Sequence, residues 1–348
     1  MDTINIIGWD IGGANIKATR VSFNNKNSSL NEIESISRFF PMWDKNKDPL
    51  QIIKEINSKL GECCCFAVTM TAELADRFKT KKEGINFIVN LFEDSFSDKR
   101  IYYYDYHGRP CQLKDIHNLE KLAAANWAVS SLFAAQFLDD FLLLDIGSTT
   151  TDIIPVINGE LNAAAFTDTG RLHSGELIYL GFLRSNLASF IEKIPFKGKM
   201  IEVMNEYFAN TADLHLLEGL IEENEYTIPA PDNGEKNLQA AAARIARLIS
   251  QDLNSADIEQ IKLAADYIFQ HELDIIYKKL MQVYSQVDPN LNLPLLANKN
   301  AVKLSEQLKK KADFKFIPLE DEIEILKDNI LTSTAAAYLL FIKINNNK

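Results

Sequence analysis

An aspartate followed by a glycine-rich polar turn is suited to phosphate chemistry, and the chain carries that combination twice. Residues 141–156 read FLLLDIGSTTTDIIPV: an apolar run ends on Asp145, passes through Gly147, Ser148, Thr149 and Thr150, and resumes as a β-branched segment from Asp152. That is the pattern of a buried strand, a tight polar turn and a returning strand. Glycine lets backbone approach an oxyanion, and successive N–H groups with small hydroxyls form a nest for phosphate. Asp145 cannot hold phosphate by itself, because like charges repel. It would act through a divalent cation, or on a water or hydroxyl as a base. Residues 4–18 repeat the plan, with Asp10 ahead of Gly12, Gly13 and Asn15 and with Lys17 on the return. Two such hairpins about 135 residues apart are expected to mark duplicated halves that face one ligand across a cleft.

Each turn needs strands and helices to hold it. Residues 16–23 are predicted as the first return strand, 34–40 as a third strand, and 48–59 as a helix opened by Asp48-Pro49. A cysteine-rich strand through Cys63, Cys64 and Cys65 then delivers Thr71, Glu73 and Arg77 at its C-terminal end. Open α/β sheets gather ligands there, which makes those three residues candidates; the alternative is an ordinary helix start capped by Thr71. A helix is expected over 81–96 and a short strand over 100–104, and His107 in the following turn reads as solvent-exposed. Residues 119–136 have helical spacing and carry Trp127 as core and Asn126 as a candidate.

After a strand at 160–165, residues 168–184 mix Arg171, Glu176, Gly181 and Arg184 with few helix or strand cues. Arginine is the natural bidentate partner of phosphate or carboxylate, and Glu176 suits a base or a metal ligand. A polar surface loop is the alternative. From residue 202 onward the chain reads as helical, with helices from 211, over 236–251 and over 255–285. A strand at 291–296, a helix at 302–309, a strand at 315–318 and a helix at 328–342 close it. The expected division is an N-terminal α/β lobe of residues 1–138 and a C-terminal lobe of residues 139–348 with a helical insertion at about 185–290.

The 348 residues are 47% hydrophobic and 24% charged, enough for two ordinary domains. A formal net charge of -11 argues against a basic stripe for nucleic acid. No apolar run approaches the length of a membrane span, so a cytoplasmic protein is expected. The three adjacent cysteines lack zinc-site spacing and read as core of a strand, which favours a reducing compartment.

Asp10 to Lys17, residues 68–76, Ala125-Asn126-Trp127, residues 145–152, and Gly175-Glu176-Leu177 with Gly181 and Arg184 resemble the hydantoinase/oxoprolinase-like proteins linked to tetrahydromethanopterin pathways. These sit in the superfamily that joins actin, the sugar kinases and the heat-shock chaperone ATPases. Residues 208–213 and 243–247 are similar too, so the likeness spans most of residues 4–290. It implies a two-lobed actin-like ATPase (ribonuclease H-like) α/β fold. Members of the family include an enzyme of methanofuran biosynthesis that joins an aminomethylfuran-methyl diphosphate to the phenol of γ-glutamyl-tyramine. The resemblance thus implies a transferase that releases diphosphate; the alternative is an ATP-dependent small-molecule kinase or a hydantoinase/oxoprolinase-like hydrolase. An actin-like binding protein without turnover is the third reading.

Displacing diphosphate by a phenol requires a cradle for the leaving group, neutralisation of its charge, and removal of a proton whose unperturbed pKa is ~10. The two turns with Lys17 and Arg184 would supply the cradle. Asp10 and Asp145 would hold Mg²⁺, and Glu176 or Asp152 would be the base. Thr71, Glu73, Arg77, Asn126 and Arg171 complete the expected substrate-binding set. The partners implied are a small-molecule diphosphate and a tyramine-type acceptor, with no nucleic acid, no membrane, and a homodimer as the self-assembly. Residues 293–301 contain no glycine where nucleotide-binding relatives have a Gly-rich loop. This lowers the expectation of ATP. Ser185 and Asn186 stand where relatives tend to carry Thr and Pro, so specificity is expected to differ.

Overall fold

Apolar residues at alternate positions make the N-terminal hairpin the centre of the first sheet. The computed structural model describes residues 3–254 and 257–346. Within them, β1 (Thr3–Ile11), β2 (Asn15–Asn24) and β3 (Leu30–Phe39) form an antiparallel meander. α1 (Pro49–Leu60) follows, with proline in its first turn and the Asp48 side chain accepting from Leu50 N–H. β4 (Cys65–Met70) returns parallel to β1, and α2 (Lys81–Ser95), capped by Thr80, leads to β5 (Arg100–Tyr104), parallel to β4. β6 (Pro110–Cys111) closes the order β3-β2-β1-β4-β5-β6, and α3 (Asn126–Ala134) comes next.

The second sheet repeats the plan. β7 (Phe141–Ile146) and β8 (Thr151–Ile157) are its hairpin; β9 (Glu160–Leu161) and β10 (Leu177–Ile178), on either side of α4 (Asp168–Ser174), both pair with β8. A small hairpin of β11 (Lys193–Phe196) and β12 (Lys199–Glu202) precedes α5 (Thr211–Leu217), α6 (Leu238–Arg247) and α7 (Ile258–Tyr284). β13 (Leu295–Ala297), α8 (Lys299–Lys309) and β14 (Phe316–Pro318) complete the order β10-β8-β7-β13-β14 with parallel pairing of β7, β13 and β14. α9 (Leu319–Glu322) and α10 (Leu331–Asn346) end the described chain. An antiparallel hairpin extended by parallel strands, met twice, is the two-lobed actin-like, ribonuclease H-like α/β fold.

The compact units do not follow the linear division into 1–138 and 139–348. Unit 1 comprises residues 3–141, 154–170 and 319–346, and unit 2 comprises residues 142–153 and 171–318. The reason is α10. One face of β1 and β4 presents Ile7, Trp9, Phe66 and Val68 to α1 and α2, where Trp9 meets Phe66 and Phe92 edge-on at 5.8 and 5.6 Å. α10 covers the other face: Thr19 Oγ1 lies 2.6 Å from Ser333 Oγ, Tyr104 OH donates to Ala336 C=O at 2.7 Å, and Phe23 stacks on Phe341. A terminal helix expected in the second lobe is therefore part of the first.

Other local expectations change for physical reasons. The helix expected over 119–136 is broken, because Ala123 bridges to Met70 and Ala124 takes a positive φ of 47°. The strand expected at 160–165 is only β9, and the segment from 168 contains a helix and a strand. The helix expected to begin at Ser255 starts at Ile258 in the described chain; Ser255 itself lies outside the described residues. β4 starts at Cys65, so Cys65 is buried while Cys64 is exposed. No helix among the described residues is long and apolar enough to cross a membrane.

Gly8 shows how tightly α10 seats. A Cβ there would lie 1.9 Å from Ser333 O and 2.8 Å from Ala337 N, both backbone atoms. Gly8→Ala is expected to push α10 off the sheet and destabilise the protein by about 3 kcal/mol. Urea unfolding checks this; an unchanged midpoint would contradict the packing described.

Candidate active site

The two turns close alike. In unit 1, Gly12 N–H donates to Asn15 C=O at 3.0 Å; in unit 2, Gly147 N–H donates to Thr150 C=O at 2.8 Å. Register places Lys17 opposite Asp10, and Lys17 Nζ lies 3.0 Å from Asp10 Oδ2. Thr71 joins this turn: its N–H donates to Ile11 C=O at 2.9 Å, and its Oγ1 would stand 3.6 Å from a Cβ on Gly12. Asp10, Gly12, Gly13, Asn15, Lys17 and Thr71 are therefore together at the ends of β1, β2 and β4. Arg77 is elsewhere, donating to the carbonyls of Asp44, Lys45 and Lys47. It clamps a loop. Asn126 is half-buried as the first residue of α3. Glu73 is buried after the end of β4, and neither Thr71 nor Glu73 starts a helix, since α2 begins only at Lys81.

The turn of unit 2 is held by a segment wrapped around it. Phe182 N–H donates to Gly147 C=O at 2.8 Å, and the N–H groups of Leu183 and Arg184 converge on Ser148 C=O at 3.1 and 2.9 Å. Arg184 also reaches Thr149 Oγ1 at 3.3 Å. Thr151 Oγ1 donates to Leu180 C=O, Ser185 Oγ accepts from Gly181 N–H, and Thr211 Oγ1 donates to Gly181 C=O. Asp145, Gly147, Ser148, Thr149, Thr150, Gly181 and Arg184 are thus one constellation. Burial pulls the Arg184 guanidinium below its ordinary pKa. Ser185 and Asn186, expected to affect specificity, act on backbone: Asn186 caps a short helical turn at Leu187–Ser189.

Arg171, Asp152 and Glu176 form a separate buried group. α4 carries Arg171 inward, where its guanidinium donates to Asp152 Oδ1 at 2.5 Å and to Glu176 C=O at 3.2 Å. The carboxylate that Arg171 binds is the protein's own. Glu176 is fully buried and its Oε2 accepts from Ser174 Oγ at 2.8 Å. The polar surface loop that composition allowed here is a buried ion pair beside β8 and β10.

Sequence reasoning missed Asn298 and Asn300. Asn298 caps α8 and donates to Asp145 Oδ1 at 2.5 Å and Ile146 C=O at 3.1 Å, while its Oδ1 accepts from Ile146 N–H; Asn300 also donates to Ile146 C=O. A signal existed, an asparagine directly after a short apolar strand and before a helical run. The glycine-free loop thus fixes the aspartate of the second turn. His215 was missed as well; it bridges Phe182 C=O at 2.8 Å and Glu272 Oε2 at 3.0 Å, and ties the helices to the wrapping segment.

A hard cation such as Mg²⁺ takes carboxylate oxygens. Asp10 fits that demand, being 4% exposed with its Oδ1 buried and without a hydrogen-bond partner, while Lys17 holds Oδ2. Asp145 is held by Asn298. Among the described residues no three His, Cys, Asp or Glu side chains gather as a metal set.

Two expectations follow. A Cβ on Gly181 would lie 2.3 Å from Thr149 backbone carbon, whereas one on Gly13 meets nothing within 4 Å. Gly181→Ala is expected to abolish turnover by displacing the second turn, and Gly13→Ala to leave the fold intact, as melting and activity of both variants would reveal. The second concerns Glu73, whose pKa burial pushes up from 4.5 to about 7. The folded chain then holds a proton that the unfolded chain releases, so this group's stabilising contribution is complete below about 4.5 and is lost as pH rises through about 7. Glu73→Gln is expected to melt increasingly above the parent between pH 5 and pH 8, by on the order of 3 kcal/mol; a pH-independent difference would refute it.

A family model described as hydantoinase/oxoprolinase matches residues 65–292. A protein of Methanocaldococcus jannaschii named (4-{4-[2-(gamma-L-glutamylamino)ethyl]phenoxymethyl}furan-2-yl)methanamine synthase is 34% identical over 289 residues, which cover 82% of this chain and 84% of that protein. A Methanococcus vannielii protein of the same name is 38% identical over 154 residues, 43% of this chain and 68% of that one. The crystal structure of MreB 5 of Spiroplasma citri bound to AMPPNP has a TM-score of 0.48 at 12% identity, covering 99% of this chain and 98% of that chain. With well over half of its length in the family's model and a relative 34% identical across most of both sequences, the chain belongs to the hydantoinase/oxoprolinase family.

Proposed function

We propose that this enzyme is an ether-forming transferase: it joins an (aminomethylfuranyl)methyl diphosphate to the phenol of γ-glutamyl-tyramine and releases diphosphate, in methanofuran-type cofactor biosynthesis. The observation that carries the reading is the 34% identity across 82% of the chain to a synthase whose name describes that phenoxymethyl-furan product. In the reaction the phenol oxygen forms a bond to the furan methylene carbon as the bond from that carbon to the diphosphate oxygen breaks. The phenolic proton passes to a base and the electron pair leaves with diphosphate.

The residues divide these tasks. The backbone and hydroxyls of Gly12, Gly13 and Asn15 with Lys17, and of Gly147 to Thr150 with Arg184, bind phosphoryl oxygens and offset their charge. Asp10 of unit 1 and Asp145 of unit 2 are the carboxylates that would hold Mg²⁺, which would neutralise charge on the diphosphate. Of the two candidate bases, Glu176 and Asp152, we favour Glu176, because Asp152 pairs with Arg171 at 2.5 Å while Glu176 Oε2 accepts from Ser174 Oγ. Gly181 and Asn298 are positioning residues. A cytoplasmic location and a homodimer accompany this reading. A second reading, an ATP-dependent kinase or hydrolase, draws on the hydantoinase/oxoprolinase match itself.

Thermal melting with pyrophosphate or ATP, each with and without Mg²⁺, separates the two, because a ligand of the folded state raises apparent stability. Pyrophosphate with Mg²⁺ is expected to raise the melting temperature, Asp145→Asn to remove the Mg²⁺ dependence, and Glu176→Gln to lower ether formation by about 100-fold or more. A larger shift with ATP would transfer the assignment to the second reading.

A further inference from the structure

Unit 1 contains a charge cluster that the ether-forming step does not use. Glu73 is 1% exposed and its Oε2 is buried without a hydrogen-bond partner. Lys81, at the start of α2, places Nζ 3.9 Å from Glu73 Oε1 and 2.9 Å from Asp168 Oδ2. The cluster thus has two carboxylates and one ammonium. With both carboxylates ionised it carries one uncompensated negative charge, and Lys81, whose side chain is a third exposed, sits between them on a flexible stem.

A group of flat rings flanks the cluster's residues along the chain. Two residues before Asp168, Phe166 lies 4.3 Å from the His107 ring and 6.0 Å from Tyr106, centroid to centroid. Phe166 also reaches the Trp127 ring at 6.0 Å, and Trp127 follows closely on Ala124, whose backbone acts on the Glu73 carboxyl. His107, Phe166 and Tyr106 are half-buried. Carboxylates beside aromatic faces suit a cation borne on a planar ring.

We propose that Glu73 and Asp168 bind a primary ammonium group carried on a flat ring, with His107 and Phe166 against the ring and Lys81 holding the ammonium position until the ligand displaces it. The inference rests on the proposed function, and the aminomethyl-furan half of the substrate is the ligand of this chemistry. Phosphate has no place here, because the uncompensated charge is negative.

The test is calorimetric titration of the full chain with furfurylamine, and with furfuryl alcohol as the neutral counterpart, without diphosphate or Mg²⁺. Furfurylamine is expected to bind at least tenfold more tightly than the alcohol, and Glu73→Gln to erase that preference. Lys81→Met is expected to tighten furfurylamine binding, because it vacates the position and leaves both carboxylates uncompensated. Below the Glu73 midpoint of about 7 the affinity is expected to fall by up to about tenfold per pH unit, since protonation removes the acceptor charge. Equal binding of amine and alcohol, or weaker amine binding by Lys81→Met, would overturn the proposal. Binding is read apart from turnover: a chain that binds the amine yet forms no ether keeps this site and loses the transferase assignment, and the converse result does the reverse.

Discussion

The backbone of Gly181 lies against that of Thr149 so closely that no side chain fits between them, and the geometry of the second turn follows from this contact. Once Gly181 is seated, the next three residues direct their N–H groups at Gly147 and Ser148 carbonyls, and Arg184 arrives beside Thr149. Ser185 and Thr211 lock Gly181 from behind. His215 extends the same chain of contacts to Glu272 on α7. The helical region therefore supports the turn from a distance, through hydrogen bonds to main chain.

Buried charge serves the same purpose elsewhere. Arg244, fully buried, donates to Asp213 and Asp232, and Asp213 also accepts from Tyr226 while completing a capping box with Asn210. Such pairs add little net stability once desolvation is counted, but removing one partner strands the other charge. Burial pushes the Asp213 carboxyl up, against the pull of Arg244. Arg171 with Asp152 follows the same logic beside β8. Both pairs fix backbone that would otherwise choose among several turns.

The parts of the site that were legible in the sequence are local. Each Asp-Ile-Gly hairpin is specified by an apolar strand, a small-residue turn and a β-branched return within about fifteen residues. The long-range parts were not. Asn298 meets Asp145 across 153 positions, which no periodicity encodes. α4 was hidden because Thr169 and Gly170 are poor helix formers, and tertiary packing overrides them: a Cβ on Gly170 would lie 2.6 Å from Ala165 Cβ. The β11–β12 hairpin did carry a sign, Lys197-Gly198, where positive φ values of 48° and 76° make the tight turn. The Ala123–Ala125 break had none, since its cause is a bridge to Met70.

The composition of unit 1 from three separated segments bears on the order in which the protein is made. During synthesis the hairpin of β1 and β2 emerges well before α10, with one face of its sheet able to find α1 and α2 at once. The other face waits for α10, roughly three hundred residues later. Until then Gly8, Thr19 and Phe23 lack the helix that covers them. Contacts of such sequence separation are slow to form, and exposed apolar sheet surface is prone to aggregate. Unit 2, whose longer segment runs unbroken from residue 171 to residue 318, has all of its chain available first. The unit that holds β1 is thus completed after the unit whose longer segment lies between its own parts.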